Sequence, residues 1–324
     1  MKAVILAAGE GTRFRPHTLE LPKPAIPFLN VPMGYFALPW LKQAGVHSLV
    51  VNTFHLPNKV RELFDGQDFF QVEYSNEVGK ILGSGGGLKN AQSLLSSEEN
   101  FYLLNSDEIY LSNEKNPFKK LSEQHLKSKA ISTLLVTEHP DVGSKFGGVW
   151  VNDKNKVIGF GKTKPPGTFK GYHYLGCQIL NRNVFDYLLP EAEQNILYDG
   201  LTKAIQAGHD VELCNIQCEF FETGNLTDFL NATGQVLNQI SDQTPQGLNF
   251  LDLIHQLDPE SRLESHGSAM IWKHSTAQVA ECKVEGFAVV GKNSKLENCH
   301  IVDSVFYQEC TGNNKEIIKN LLLV

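Results

Sequence analysis

The first stretch able to do chemistry runs from Leu6 to Pro24. It reads Leu6-Ala7-Ala8-Gly9-Glu10-Gly11-Thr12-Arg13-Phe14-Arg15-Pro16-His17-Thr18 and then Pro22-Lys23-Pro24. An apolar run ends in a glycine turn, which lets backbone N–H groups approach phosphate oxygens closely. Arg13 offers a forked donor for those oxygens. Lys23 adds a compact charge, and the prolines on either side of it fix the direction of the chain. Neither G-x-x-x-x-G-K-[ST] nor G-x-G-x-x-G is present. A glycine turn followed by a solvated basic segment is the ordinary alternative. In a chain of formal net charge -7, Arg13, Arg15 and Lys23 clustered behind glycines favour phosphate binding over that alternative.

The same stretch resembles the signature of the sugar nucleotidyltransferases, enzymes that make nucleoside diphosphate sugars from sugar 1-phosphates. It fits G-x-G-T-R-x-x-P-x-T…P-K-P at every defined position, and the resemblance extends over roughly the first 240 residues, more weakly after about 140. It implies that Ala8, Gly9, Glu10, Gly11, Thr12 and Arg13 bind the nucleotide. Arg13 would take the β- and γ-phosphates, and Lys23 the α-phosphate or the space between it and the incoming phosphate. Where relatives carry E…LGTAG or LETGGG, a loop that contacts base and ribose, this chain has EVGKILGSGGGL from Glu77 to Leu88. That places Glu77, Gly83 and Ser84 on the nucleotide side. Glycines at 83, 85, 86 and 87 leave room for a flat base, and Ser84 can make one hydrogen bond; a linker capping the next helix is the plain reading. Asn52, with His55 after it, stands where relatives have a loop near the base.

Asp107 follows Leu103-Leu104-Asn105-Ser106, where relatives read N-G-D. A carboxylate at a strand's end can hold a hard cation such as Mg²⁺, with water and phosphate completing the coordination; Glu108 is the fallback ligand. Relatives carry W-x-D-I-G-T, whose aspartate is the second metal carboxylate. Here Phe220-Phe221-Glu222-Thr223-Gly224-Asn225 offers Glu222, one bond longer. The family's F-x-E-K-P, which serves the sugar and its phosphate, is altered to Phe160-Gly161-Lys162-Thr163-Lys164-Pro165. Lys164 as a shifted K-P, or Lys162 alone, would meet the sugar phosphate, and no glutamate precedes either. Gly148 and Gly176 match sugar-side turns, or are simply strand-end glycines. The implied reaction is nucleotidyl transfer from a nucleoside triphosphate to a sugar 1-phosphate, with Arg13, Lys23 and Asp107 as the catalytic set and Mg²⁺ on Asp107 and Glu222. LGSGGG and the Asn52 loop lean towards relatives acting on mannose 1-phosphate or N-acetylmuramate 1-phosphate. Two rivals share these motifs: a regulatory subunit that binds nucleotide sugar without making it, and a cytidylyltransferase for a phosphorylated amino alcohol.

These residues need a frame. The chain has 324 residues, 41% hydrophobic and 20% charged, enough for a packed core in one large domain or two smaller ones. The negative balance argues against a nucleic-acid partner, and no apolar run approaches the ~20 residues of a membrane span. The apolar start MKAVILAAGEG reads as a buried first strand rather than a signal peptide. Six cysteines without a C-x-x-C pair fit reduced thiols in a cytoplasmic protein. Strand-length runs at Ala3–Ala8, Ser48–Asn52, Phe69–Tyr74 and Phe101–Leu104 alternate with helical patterns at 34–44, 57–64 and about 86–95. The alternation predicts an α/β, Rossmann-like domain with a mostly parallel sheet, ligands lying beyond the strands' carboxyl ends. Strands dominate from 130 to 216, a helix follows Leu226, and a polar break near 241–245 marks a boundary between a nucleotidyltransferase domain, 1–243, and a C-terminal domain, 244–324. In the latter, Val284, Val290, Leu296 and Val302 recur every six residues behind Cys282, Ala288, Ser294 and His300. This hexapeptide pattern predicts a short parallel β-helix. It resembles the left-handed tails of some family members, which serve assembly or regulation and offer a route to homo-oligomers. Acetyl transfer on such a helix, with His274 or His300 as base, is the remote alternative.

Overall fold

The computed structural model of the chain describes residues 1–266, 269–312, 317–319 and 322–323. Contacts divide it into two compact units, each assembled from separate stretches: 1–10, 37–106 and 114–218 in the first, and 11–36, 107–113 and 219–324 in the second.

The first unit is built on a nine-stranded sheet. Its strands are β1 (Lys2–Leu6), β2 (Ser48–Thr53), β3 (Gln71–Asn76), β4 (Asn100–Asn105), β5 (Ser132–Thr137), β6 (Gly148–Val151), β7 (Val157–Gly161), β8 (Lys170–Asn181) and β9 (Val211–Asn215). β4, β1, β2 and β3 run parallel in that order. The long β8 lies antiparallel to β4, β5 and β6, and β9 runs parallel to β5. Ala3, Val4 and Ile5 of β1 are fully buried, the continuous apolar run expected where helices cover both faces. The helices are α1 (Leu38–Gln43), α2 (Pro57–Asp65), α3 (Gly83–Asn90), α4 (Pro117–His125) and α5 (Thr202–Gln206).

Two boundaries differ from the sequence pattern. β3 starts at Gln71 rather than Phe69, because the Gln67 side chain accepts hydrogen bonds from Phe69 and Phe70 N–H and donates to Phe64 and Phe70 carbonyls, holding a turn there. The helix expected at 86–95 is α3 from Gly83, followed by a separate short turn at Gln92–Leu95.

In the second unit, α6 (Leu226–Ser241) and α7 (Pro245–Leu257) are joined by the predicted polar break, where Thr244 caps α7 with its side-chain oxygen. The boundary expected at 243–244 therefore falls between two helices of one unit. Phe14, Phe28, Phe36, Phe229 and Phe250 form a chain of edge-on and stacked rings with centroids 5.2–6.3 Å apart. Each such pair adds roughly 0.5–1.5 kcal/mol beyond the area it buries.

Beyond α7 the strands Ser261–His266 and Ala269–His274 pair antiparallel, and from Ala269 onward the strands stack in parallel. Met270 pairs with Phe287, and Gln278 with Lys295, seventeen residues on in each case. Lys283–Val290 in turn stacks on His300–Phe306. Ile271, Ala288, Val290, Leu296, Ile301 and Phe306 fill the interior. This spacing is close to three of the six-residue repeats per coil.

Candidate active site

The signature loop crosses from one unit to the other between Glu10 and Gly11. On the first side it leaves β1, with Ala8 buried and Gly9 and Glu10 exposed. Ser106, at the family's glycine position, ties the end of β4 to β1 by donating to the Leu6 carbonyl at 2.7 Å.

Within the second unit, Gly11 takes a left-handed φ of +60°. A side chain there would also meet Thr18, whose hydroxyl donates to the Gly11 carbonyl at 2.9 Å. Thr12 and Arg13 follow in a short 3₁₀ turn, anchored by the buried Phe14 ring. Pro22 is extended and Lys23 begins the next turn, so the lysine side chain leaves a fixed backbone. Its Nζ meets Asp107 Oδ2 at 2.5 Å, with both side chains mostly buried. Arg13 Nη1 meets Glu222 Oε1 at 3.3 Å, with the arginine 70% exposed.

The segments that carry the two carboxylates come together because the strand Ile109–Ser112 pairs with Cys218–Phe221. Asp107 precedes one strand and Glu222 follows the other, and Thr223 Oγ1 donates to the Asp107 carbonyl at 3.0 Å. Gly224 leaves space for the second pair: a Cβ there would lie 2.9 Å from both Arg13 Nη1 and Glu222 Oε1. Arg13, Lys23, Asp107 and Glu222 thus form one formally neutral group drawn from three stretches of chain. Asp107 and Glu222 are the residues able to hold a hard cation; among the described residues no three or more His, Cys, Asp or Glu side chains gather around a metal position.

In the first unit, Asn52 and Glu77 are buried and form a bracket. Asn52 Oδ1 accepts from Ala7 N–H at 2.6 Å, and its amide donates to Glu77 Oε1 at 2.7 Å. Glu77 Oε2 accepts from Leu82 N–H at 2.6 Å. Burial raises the Glu77 carboxyl above its ordinary range, outweighing these hydrogen bonds, which pull the other way. The bracket spaces the end of β1 from the glycine-rich turn.

That turn is clasped by the segment Gln194–Ile196. Gln194 N–H donates to the Leu82 carbonyl at 2.9 Å, Gly85 N–H to the Gln194 carbonyl at 2.8 Å, and Ile196 N–H to Ser84 Oγ at 3.0 Å. Side chains at Gly83 and Gly86 would strike the carbonyls of Gln194 and Ala192, one at Gly85 would press on the backbone of 194–196, and one at Gly87 would strike Asn52 and Glu77. The four glycines that the sequence suggested as room for a base also lie close to the protein's own backbone and side chains. The Gln194 clasp was not singled out in the sequence; its signal is Asn195, a helix-capping type set before the apolar pair Ile196-Leu197.

On the sugar side, Gly148 stands against the buried Trp150 ring, 2.7 Å from where its Cβ would be. Gly176, at φ +68°, sits where the register of β8 against β5 shifts, a bulge that calls for glycine. Lys162 is exposed, and Lys164 lies over the Trp150 ring, 5.6 Å from a centroid. His55 N–H reaches the Ala8 carbonyl at 3.5 Å.

Residues 2–239 match the model of a family described as nucleotidyl transferase. The UTP–glucose-1-phosphate uridylyltransferase of Synechocystis sp. is 32% identical over 252 residues, covering 74% of this chain and 64% of that protein, so the likeness spans under two thirds of its length. Mannose-1-phosphate guanyltransferase 2 of Candida glabrata is 32% identical over 259 residues, covering 77% and 68%. In fold, the chain resembles UDP-glucose pyrophosphorylase from Acinetobacter baumanii, with a TM-score of 0.62 at 20% identity over 79% of this chain and 99% of that one. Together with the intact Leu6–Pro24 loop and the paired carboxylates behind it, the match across 2–239 means that the chain belongs to the nucleotidyl transferase family.

Proposed function

We propose that this protein transfers a nucleotidyl group from a nucleoside triphosphate to a sugar 1-phosphate and releases pyrophosphate. The observation that carries the reading is the neutral group itself: two phosphate-seeking cations and two carboxylates meeting at the signature loop. An oxygen of the sugar phosphate attacks the α-phosphorus in line. A P–O bond forms as the bond from the α-phosphorus to the bridging oxygen breaks, and the electron pair leaves with pyrophosphate. The protein contributes position and charge, with no covalent intermediate. Arg13 holds the β- and γ-phosphates, and Lys23 steadies the α-phosphate where negative charge builds.

Asp107 and Glu222 would hold Mg²⁺. An all-oxygen pair suits this ion, which takes one or two carboxylates and fills its remaining positions with water and phosphate. When bound, it neutralises repulsion between the two anions. Asn52, Glu77, Gly83 and Ser84 frame the turn against which we place the base and ribose. Gly148, Gly176, Lys162 and Lys164 we place around the sugar phosphate, with mannose 1-phosphate or N-acetylmuramate 1-phosphate as the preferred acceptor class. The parallel C-terminal coils we read as a left-handed β-helix supporting homo-oligomers. No described helix is long and apolar enough to cross a membrane, and we place the enzyme in the cytoplasm.

The test is pyrophosphate release with Mg²⁺, each nucleoside triphosphate crossed with a panel of sugar 1-phosphates and amino-alcohol phosphates. Release with one sugar pair establishes the reaction and names both substrates. Release only with an amino-alcohol phosphate overturns the sugar reading. Silence throughout, with a nucleotide sugar still binding, replaces it with a sensor.

A further inference from the structure

We infer that Arg13, Lys23, Asp107 and Glu222 form a self-neutralised resting state that makes metal and polyphosphate binding mutually dependent. The inference rests on the reading of these four residues given above. In the free protein each phosphate-binding cation is satisfied by a metal-binding carboxylate: Lys23 by Asp107 at 2.5 Å and Arg13 by Glu222 at 3.3 Å. The two pairs share one frame, because Thr223 beside Glu222 is bonded to the Asp107 backbone.

The first pair carries most of the effect. Its side chains are 14% and 28% exposed, so their attraction is less screened than a surface pair's. The Arg13 pair is more open and weaker. It is close to Gly224 all the same: a Cβ there would lie 2.9 Å from both Arg13 Nη1 and Glu222 Oε1, so one or both would have to shift.

A polyphosphate arriving alone takes Lys23 and Arg13 and leaves both carboxylates without their cations. A divalent cation arriving alone takes the carboxylates and strands the two bases. Leaving one member of a partly buried pair uncompensated costs more than the pair itself contributes. When both ligands arrive, the partners exchange: the cation takes the carboxylates, the polyphosphate takes the bases, and no charge is left alone. The coupling is reciprocal, as linkage requires.

The probe is inorganic pyrophosphate, which has no base to complicate the result, titrated calorimetrically into the full chain in chelator and again in excess Mg²⁺. Asp107→Asn and Glu222→Gln each remove one restraining charge at nearly constant shape. Glu219→Gln, at a carboxylate outside the group that bonds Gln239 at 3.0 Å, removes the same charge as a control. Metal-free affinity for pyrophosphate should rise about 10-fold or more in the first two variants and not in the control, within the usual 5–150-fold range of such coupling. The enhancement by Mg²⁺ seen in the wild type should shrink in both. An equal gain in Glu219→Gln would reduce the effect to net charge and overturn the inference, as would no gain in either variant while the wild type binds pyrophosphate with Mg²⁺. A wild type that binds no pyrophosphate even with Mg²⁺, yet releases it in the substrate panel, overturns the resting-state inference alone; failure of both assays overturns the function as well.

Discussion

Lys23 and Asp107 lie 84 positions apart in the chain and touch in the fold. Each is therefore exposed to loss of the other as well as of its ligand. Lys23→Ala and Asp107→Ala should each lower turnover by ~10²–10³ or more, the usual effect of removing one preorganised charge, measured as steady-state pyrophosphate release at saturating Mg²⁺. Near wild-type turnover in either would remove that residue from its role. Lys23→Arg should not rescue, because a planar guanidinium cannot reproduce the compact ammonium that meets Asp107 Oδ2 at 2.5 Å. The residue types and their order were legible in the sequence: the loop glycines, Arg13, Lys23 and Asp107 all sit where the signature set them. Their pairing was not, because no local pattern records which lysine will reach which aspartate. Thr223, directly after Glu222, adds a bond to the Asp107 carbonyl beside the strand pairing that joins the two segments.

At the level of elements, periodicity revealed the strands and helices of the first unit well, since β1, β2 and β4 are buried on both faces and read as unbroken apolar runs. It could not say what the glycines of the glycine-rich turn pack against. Open space for a ligand and close approach of another backbone leave the same mark in a sequence, and only the fold reveals the 192–196 segment lying against α3. Gly86→Ala follows from this. Its methyl group would collide with the Ala192 carbonyl, and overpacking against backbone costs about 1–3 kcal/mol. Urea denaturation should show that loss even with no nucleotide present; an unchanged midpoint would return the glycines to ligand binding alone.

A second element-level consequence lies at the end of α4. His125 is buried, hydrogen-bonded to Thr133 Oγ1 at 2.9 Å and to Asn100 Oδ1 at 3.1 Å. Burial lowers its pKa to about 4. The unfolded chain takes up this proton near pH 6.5 and the folded one only near 4, so stability falls as pH drops through that window. The total is about 3 kcal/mol at 1.36 kcal/mol per pH unit. Comparing denaturation at pH 7.5 and 4.5, the acid loss should be smaller in His125→Asn than in the wild type. Equal losses would mean that other groups carry it.

At the scale of the molecule, sequence order and spatial order part company. The second unit gathers 11–36, 107–113 and 219–324, so the loop that bears Arg13 and Lys23 is built against residues from the far end of the chain. Phe36 stacks on Phe250 at 5.2 Å, and Trp272 Nε1 donates to the Leu29 carbonyl at 3.0 Å. A chain cut after residue 243 loses both contacts. It should bind a hydrophobic dye, melt with reduced cooperativity and release little pyrophosphate; a truncated chain with full activity and a sharp transition would show these contacts to be dispensable. The polar break at 241–245 was visible in the sequence, but composition cannot tell a hinge between bodies from a tight corner between two packed helices.

The interleaving also sets a timetable. The residues that cover Phe14, Phe28 and Phe36 begin roughly 180 positions after Phe36, so residues 11–36 leave the ribosome before them. At ~5–20 residues per second of synthesis, that is a wait of roughly 10–40 s. During it, three aromatic rings stand uncovered beside a basic segment, a natural target for a holding chaperone. The signature loop is thus made well before the residues that complete its packing.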